Sequence, residues 1–311
     1  MNANQGAGKV IEKNKLIMTG CFQTACANRH ANGRDWWLLI GDNKVDTFYR
    51  FLVTPDSLLG PWVQAIENPS IDSFYFCGWA NFSPDGSKFV INGCRSGVSV
   101  YDFDRCTGLL SNLRFAPRLE WEYTWGAAFS PNSRFLYVDT EDSRHLDQFD
   151  LLAPDLSASQ TTVAVWDGYL TPWQGGTVFG PSCLGPDGKI YIGTHGYAHI
   201  IEHPNLPGTS CNVIQRSIES PAAGQLFTPN YPNYRLGPLD DSSCDTLGLD
   251  NLPSALFRYE PVDTTDPLTL QFTDLSWYEP DTWYWTFGDG AISQDTNPAH
   301  TFPWPGIYTV C

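Results

Sequence analysis

Three histidines at four-residue spacing, in the segment THGYAHIIEH, are the first candidates for metal chemistry. On a helix, His195, His199 and His203 would share one face and could bind a metal ion. The segment is typical of strands, however, and positions four apart on a strand are separated by about 13 Å, at a rise of about 3.3 Å per residue. The spacing therefore predicts turn and surface histidines rather than a metal site.

Asp289, in the sequence FGDG with Asp281 and Asp295 nearby, is a candidate calcium ligand. Carboxylate and loop carbonyl oxygens are the ligands that calcium prefers. The alternative is structural, because an aspartate between Gly288 and Gly290 can accept backbone N–H groups within a tight turn. The sequence favours the turn, and no cofactor other than this candidate calcium is considered.

The common catalytic motifs are missing from the sequence. It contains no GxSxG nucleophile elbow, no HExxH, no phosphate-binding GxxxxGK[ST] and no GxGxxG after a strand. The nearest string, around Ser182, has the wrong spacing. No catalytic residue is predicted, and the sequence assigns no binding residue.

Nine cysteines occur in 311 residues, with neither a CxxC pair nor a Cys/His cluster at zinc spacing. This usage is typical of disulfides formed in an oxidising compartment. The first predicted pair is Cys211 with Cys244, which flank a loop-rich stretch, and the second is Cys94 with Cys106, across a hairpin. The odd count leaves at least one thiol without a partner in the chain, and Cys311 is the last residue.

Composition and charge narrow the fold class and the partners. The chain is 14% aromatic and contains 27 Gly and 23 Pro, which is typical of an all-β protein with short strands and tight turns. The net charge of −16 repels nucleic acid and anionic lipid surfaces. We find no apolar run long enough to span a membrane and no secretion signal in the first residues.

Three segments repeat one pattern of strand, turn and strand. Their turn prolines, Pro84, Pro131 and Pro186, recur after 47 and 55 residues within FSPDG, FSPN and LGPDG. Each turn predicts a hairpin, since Pro fixes φ, Asp or Asn bonds its own backbone, and Gly accepts a positive φ. Consecutive apolar residues, as in 89–91, predict sheets that are covered on both faces. The repeats thus predict a β-propeller, in which each blade covers the next.

The FSPDG-type units, each followed by a strand such as YDFD or QFDL, resemble lactonase-like, YVTN-type and WD-repeat-like propellers. RHANGRDWWLLI, YDFDRCTGLLSN and PNYRLGPLDDSSCDTLG resemble large bacterial surface proteins that join such a propeller to PKD repeats. The resemblance implies a β-propeller over residues 1–251 with about five to seven blades, incomplete in this chain. Because the opening residues look like the middle of a blade, we expect the natural start to lie upstream.

From about Leu256 the pattern changes. In LTLQFTDLS, apolar and polar residues alternate, which predicts a strand with one buried and one solvent-exposed face. WTFGDG, then NPAHTF and PGIYTV, resembles the PKD domain. The resemblance implies an immunoglobulin-like β-sandwich over residues 252–311, C-terminally incomplete because the family's pattern continues past Cys311. Its members serve as spacers and as protein or carbohydrate contact modules on extracellular proteins.

Two functions are compatible with these features. The first is a non-enzymatic extracellular or cell-surface scaffold for binding or adhesion, which contacts proteins or polysaccharides through propeller loops. The alternative is a propeller hydrolase of lactonase or glycan-cleaving type, with its site in the central channel. The missing motifs and the PKD-like module favour the scaffold. Two aromatic clusters could stack sugars on a rim or pack within blades: Trp121, Tyr123 and Trp125, and Trp166, Tyr169 and Trp173.

Overall fold

The computed structural model describes residues 13–20, 22–42, 46–66, 79–93, 97–117, 125–140, 143–172, 175–220, 231–263, 265–278 and 280–311. Within these ranges all regular structure is strand, apart from two short 3-10 turns at Ser157–Ser159 and Gly208–Cys211. No helix capable of crossing a membrane occurs in them. The all-β prediction is confirmed.

Sixteen strands form four antiparallel sheets, each built from four consecutive strands in up-and-down order. Blade 1 contains β1 (Phe22–Arg29), β2 (Trp36–Asp42), β3 (Thr47–Val53) and β4 (Leu58–Ala65). Blade 2 contains β5 (Trp79–Phe82), β6 (Lys88–Gly93), β7 (Gly97–Phe103) and β8 (Leu110–Pro117). Blade 3 contains β9 (Ala127–Phe129), β10 (Phe135–Thr140), β11 (His145–Asp150) and β12 (Thr161–Val165). Blade 4 contains β13 (Ser182–Leu184), β14 (Ile190–Gly193), β15 (Tyr197–Ile201) and β16 (Val213–Glu219).

The blades stack face to face, with a buried apolar core between each successive pair. Phe89 and Ile91 face blade 1, whereas Val90 between them faces blade 3. In the next blade Leu136 faces blade 2, and its neighbour Phe135 faces blade 4. Adjacent side chains on a strand point to opposite faces, so consecutive apolar residues bury both faces of one sheet. The propeller prediction is confirmed. The described residues contain four blades, fewer than the five to seven that the resemblance implies.

The repeated Pro-Asp-Gly segment forms the expected hairpin turn between the first two strands of a blade. In blade 2 the Gly86 N–H donates to Ser83 O at 2.9 Å, and Gly86 has a φ of +72°. Asp85 Oδ1 accepts the Ser87 N–H at 3.0 Å, which closes the turn from the side-chain side. These hairpin turns therefore lie at one end of the propeller, opposite the turns between the second and third strands.

The pairing of the third and fourth strands is interrupted by a β-bulge in every blade. In three blades the fourth strand has a residue with positive φ there: Gly60 at +108°, Asn112 at +51° and Arg216 at +55°. Glycine and asparagine tolerate this conformation, whereas a long side chain rarely adopts it. Arg216 is therefore the unusual member of a repeated feature.

Two small sheets follow the blades. One contains β17 (Phe257–Asp263), β18 (Asp266–Asp274) and β21 (Ala299–Thr301), and the other contains β19 (Trp285–Thr286) and β20 (Ile292–Ser293). A core of Phe272, Trp285, Phe287 and Phe302 lies within this unit. The immunoglobulin-like prediction for the C-terminal residues is confirmed.

A segment without regular structure, residues 231–251, crosses the hairpin-turn end of the propeller, and we call it the closing segment. The Leu239 N–H donates to Ala31 O of blade 1 at 2.8 Å. Asn233 Nδ2 donates to Pro84 O of blade 2, also at 2.8 Å. The closing segment thus contacts the hairpin turns of two blades, and the domain boundary at residue 251 stays a prediction.

Arg105, in the turn between β7 and β8, joins both blades to the closing segment. Its guanidinium is buried and donates to Arg29 O of blade 1 at 3.0 Å and to Gly237 O of the closing segment. Burial lowers the pKa of Arg105 to about 10. Because two other parts of the chain supply carbonyl acceptors to one buried cation, removal of the cation would leave those carbonyls unsatisfied.

The disulfide in the described residues joins Cys106 to Cys244, with their Cα atoms 5.6 Å apart. Both predicted pairs are therefore wrong: Cys244 does not pair with Cys211, and Cys106 does not pair with Cys94. Cys211 is buried in the core between blades 3 and 4, whereas Cys244 lies on the closing segment that returns over blade 2. Cys94 lies outside the described residues. The predicted partners are close to one another in sequence, whereas the closing segment brings Cys244 back to Cys106 from 138 residues away.

The C-terminal unit rests on the hairpin turn of blade 4. Arg258 Nη1 donates to Asp187 O at 3.1 Å, and Lys189 Nζ lies 3.5 Å from Glu260 Oε2. Lys189 also pairs with Glu202 of its own blade. The closing segment and the C-terminal unit together cover the hairpin-turn end of blades 1, 2 and 4.

Gly33→Ala and Gly168→Ala form a matched pair that tests how closely the closing segment packs. Both glycines have positive φ, +73° and +84°, where an alanine costs roughly 1–2 kcal/mol. A Cβ at Gly33 would lie 2.6 Å from Pro238 Cδ, whereas a Cβ at Gly168 meets open space. We expect Gly33→Ala to lose more stability in urea and to make residues 231–251 more sensitive to protease. Equal losses in the two variants would contradict this packing.

Candidate functional site

A cluster of polar and aromatic side chains lies where the chain passes from blade 3 to blade 4. Asp167 and Tyr169 belong to the connection between β12 and β13, and Tyr197, His199 and Arg216 belong to blade 4. We call these five residues the seam site. The connection packs against the turn between β10 and β11, since the Trp166 N–H donates to Arg144 O at 2.7 Å. The seam site therefore lies at the end of the propeller opposite the hairpin turns.

Arg216 is the centre of the seam site. Its Nη1 atom lies 2.5 Å from Asp167 Oδ2, and its guanidinium carbon lies 4.6 Å from the centre of the Tyr169 ring. The rings of Tyr169 and Tyr197 are perpendicular, with centroids 6.0 Å apart and an angle of 89°. The side chains of Arg216 and Asp167 are 26% and 37% exposed, and Tyr169 is 39% exposed. Two aromatic walls and one ion pair are thus presented at the surface.

The surroundings of the site shift the pKa values of Asp167 and Tyr197. Burial acts to raise the pKa of Asp167, but the hydrogen bond and charge of Arg216, with the Tyr169 N–H, hold it below its usual value. The Tyr169 N–H donates to Asp167 Oδ1 at 3.1 Å, so the carboxylate also shapes its own turn. A hydrogen bond with Tyr169 raises the pKa of Tyr197. The Tyr197 hydroxyl therefore stays protonated at neutral pH.

His199 supports the site from below and is fully buried. Its Nε2–H donates to Thr177 O at 2.9 Å, while Nδ1 accepts the Arg216 N–H at 3.0 Å. These two contacts require the neutral ring with its proton on Nε2, and burial lowers the pKa of His199 to about 4. The histidine therefore fixes the bulge that aims Arg216 at Asp167.

The three spaced histidines do not converge. The prediction of a turn or surface position is wrong for His199, because β15 buries it between blades 3 and 4, while His195 and His203 are partly exposed. No group of three or more His, Cys, Asp or Glu side chains suited to a metal occurs in the described residues. The role of His199 could not be predicted from the sequence, since its partner is a bulge seventeen residues away.

Asp289 lies in the turn after β19 with both carboxylate oxygens in contact with protein donors. Oδ1 accepts the Ala291 N–H at 3.0 Å, and Oδ2 lies 2.7 Å from His300 Nε2. The His300 ring stacks on Phe287 at 4.0 Å. The Ala291 N–H is the main cause that lowers the pKa of Asp289, although partial burial opposes it. These contacts agree with the structural alternative for this residue.

The aromatic residues considered for stacking against sugars differ in their exposure. Trp166 packs against the core between blades 3 and 4, and its indole N–H donates to Thr177 Oγ1 at 3.3 Å. Tyr169 remains exposed, and so does Trp125 at the entry to β9. Trp121, Tyr123 and Trp173 lie outside the described residues.

Asp139, on β10, is a buried carboxylate whose contacts are all within the protein. Its oxygens accept the N–H groups of Trp125 at 2.9 Å and Gly126 at 2.6 Å, and the Ser143 hydroxyl at 2.5 Å. The carboxylate thus holds the chain in position where β9 begins.

Residues 255–311 match the family model of the PKD domain. The chain therefore combines stacked propeller blades with a C-terminal PKD domain. No curated protein matches it.

Several solved structures are similar in fold. A candidate 6-phosphogluconolactonase from Bacteroides fragilis is 15% identical, with a TM-score of 0.44 over 64% of this chain and 55% of that one. A gluconolactonase from Xanthomonas campestris is 14% identical, with a TM-score of 0.37 over 60% of each chain. An auxiliary nutrient binding protein from Bacteroides thetaiotaomicron is 12% identical, with a TM-score of 0.36 over 53% and 44%. This chain spans 44 to 60% of their lengths, and similarity at this level indicates nothing about activity.

The buried His199 predicts a pH dependence of stability. The unfolded chain protonates its histidine near pH 6.5, whereas the folded protein does so only near pH 4. The contribution of His199 is therefore complete above pH 6.5 and falls as the pH drops toward 4, by roughly 3 kcal/mol in all. Urea unfolding of the protein and of His199→Gln between pH 7 and 5 tests this. The dependence of the free energy of unfolding on pH should flatten in His199→Gln but persist in His195→Gln. An unchanged dependence in both variants would refute the prediction.

Proposed function

We propose that the chain is a non-enzymatic extracellular or cell-surface scaffold for binding and adhesion, which contacts a protein or a polysaccharide. The seam site is the observation that carries this proposal. It presents aromatic surface beside a charged hydrogen-bonding pair, and it rests on a buried histidine that holds the backbone rigid. Aromatic residues and arginine are the side chains that contribute most to binding energy at protein surfaces.

The extracellular location is supported by two features. The PKD domain at residues 255–311 is typical of extracellular proteins, and the Cys106–Cys244 disulfide requires an oxidising compartment to form and persist. The net charge of −16 keeps such a protein soluble and repels anionic partners. Nucleic acid is therefore not among the proposed partners.

The two ends of the propeller differ in what contacts them, which supports separate roles for the PKD domain and the seam site. The closing segment and the PKD domain contact the hairpin-turn end, through Ala31, Pro84 and Asp187. The seam site lies at the opposite end of the propeller, away from these contacts of the closing segment and the PKD domain. A ligand can thus reach the seam site while the PKD domain acts as a spacer on the other side.

Binding by the whole chain to arrays of polysaccharides and matrix proteins tests the proposal, with Tyr169→Ala as the variant. Because Tyr169 supplies the exposed ring, we expect its loss to weaken binding by about tenfold or more. Tyr284→Ala is the control, since Tyr284 is 63% exposed on the PKD domain, away from the seam site. Retained binding in Tyr169→Ala, or turnover of a lactone or glycan by the chain, would overturn the proposal.

A further inference from the structure

We infer that the seam site binds an uncharged carbohydrate, with Tyr169 and Tyr197 as apolar walls and the Asp167–Arg216 pair as the hydroxyl-binding group. This inference rests on the proposed function and names the ligand class of the same site. Four observations carry it: the backbone of Arg216, the compensation of its charge, the placement of the polar atoms and the angle between the rings.

The backbone of Arg216 points to a role for its side chain. The same bulge in blades 1 and 2 has Gly60 and Asn112, which accept a positive φ at little cost. Arginine in this conformation is strained, and such strain persists where the surroundings enforce it and is concentrated at functional sites. The buried His199 supplies that enforcement through the Arg216 N–H. The bulge alone would be served better by glycine or asparagine.

The charge balance of the site favours an uncharged ligand. The Arg216 guanidinium is already paired with Asp167 at 2.5 Å, so the pair has no net charge to offer to a sulfate, phosphate or carboxylate. The net charge of −16 on the whole chain disfavours polyanions further. An acidic peptide or an anionic glycan would need an unpaired cation, which Arg216 is not.

The polar atoms of the pair match the hydroxyl groups of a sugar. Arginine offers only donors and aspartate only acceptors, and here Arg216 Nη1 lies 2.5 Å from Asp167 Oδ2. A hydroxyl both donates and accepts, so neighbouring hydroxyls on a sugar ring can use one donor and one acceptor each. Bonds that involve a charged partner are the stronger ones.

The two tyrosines supply apolar contact. Their rings meet at 89° with centroids 6.0 Å apart, which gives the site two walls at a right angle. The face of an aromatic ring carries partial negative charge, so it attracts the C–H groups on the apolar side of a sugar. A sugar can therefore pack against tyrosine on one side while its hydroxyls reach Asp167 and Arg216.

The test is affinity electrophoresis of the full chain in gels with soluble neutral glucan, mannan or xylan, and in gels with the anionic polysaccharides alginate or heparin. We expect retardation by at least one neutral polysaccharide and none by the anionic ones. Arg216→Asn, which copies Asn112 of blade 2, should weaken that binding by about tenfold or more without a loss of melting temperature. Unchanged binding in this variant would overturn the inference.

Asp167→Asn provides a second, independent arm. Asparagine keeps the turn-forming side chain but removes the negative charge, so Arg216 becomes an unpaired cation. We expect weaker binding of the neutral polysaccharide, because the charged hydrogen-bond acceptor is lost. If Arg216→Asn fails to fold, this variant decides the question. Binding to matrix proteins with no neutral polysaccharide retarding the chain would overturn the inference while sparing the scaffold function, and binding to neither would overturn both.

Discussion

The structure depends on one constraint: blades 2 and 3 are four-stranded sheets whose two faces are both apolar, so each of them must be covered by a neighbour on either side. Val90 and Phe89 are adjacent in the chain and are both fully buried, in different cores. A sheet with this pattern cannot expose a face to water without losing most of its hydrophobic stabilisation. Stacking is therefore required for folding here. The loops at the hairpin-turn end of the stack make the contacts with the closing segment and the PKD domain.

The elements that could be predicted from the sequence are those specified by neighbouring residues. The hairpin turn around Pro84 and Gly86 is set by local φ preferences and hydrogen bonds, and it forms as predicted. The motif WTFGDG likewise lies within one short segment. Disulfide pairing and the burial of His199 depend instead on how distant segments meet. Neither the return of the closing segment over Cys106 nor the bulge at Arg216 leaves a periodic pattern in the sequence.

Two arginines of the chain have their charge compensated in different ways. Arg105 is buried, and backbone carbonyls from two other parts of the chain surround its charge, so it works as a rigid joint. Arg216 is partly exposed and has a carboxylate partner, so it remains available to compete for other hydrogen bonds. The first arrangement stabilises the fold at the hairpin-turn end. The second places a partly exposed ion pair at the opposite end.

The bond between Cys106 and Cys244 spans a sequence separation of 138 residues, and blades 3 and 4 both lie inside the covalent ring that it closes. A protease that cuts an exposed loop within this ring opens it without detaching any fragment. Blade 1 and the PKD domain would stay tethered after such a nick, and only reduction of the disulfide would let the pieces diffuse apart. A chain cut once within this ring therefore remains one covalently linked molecule.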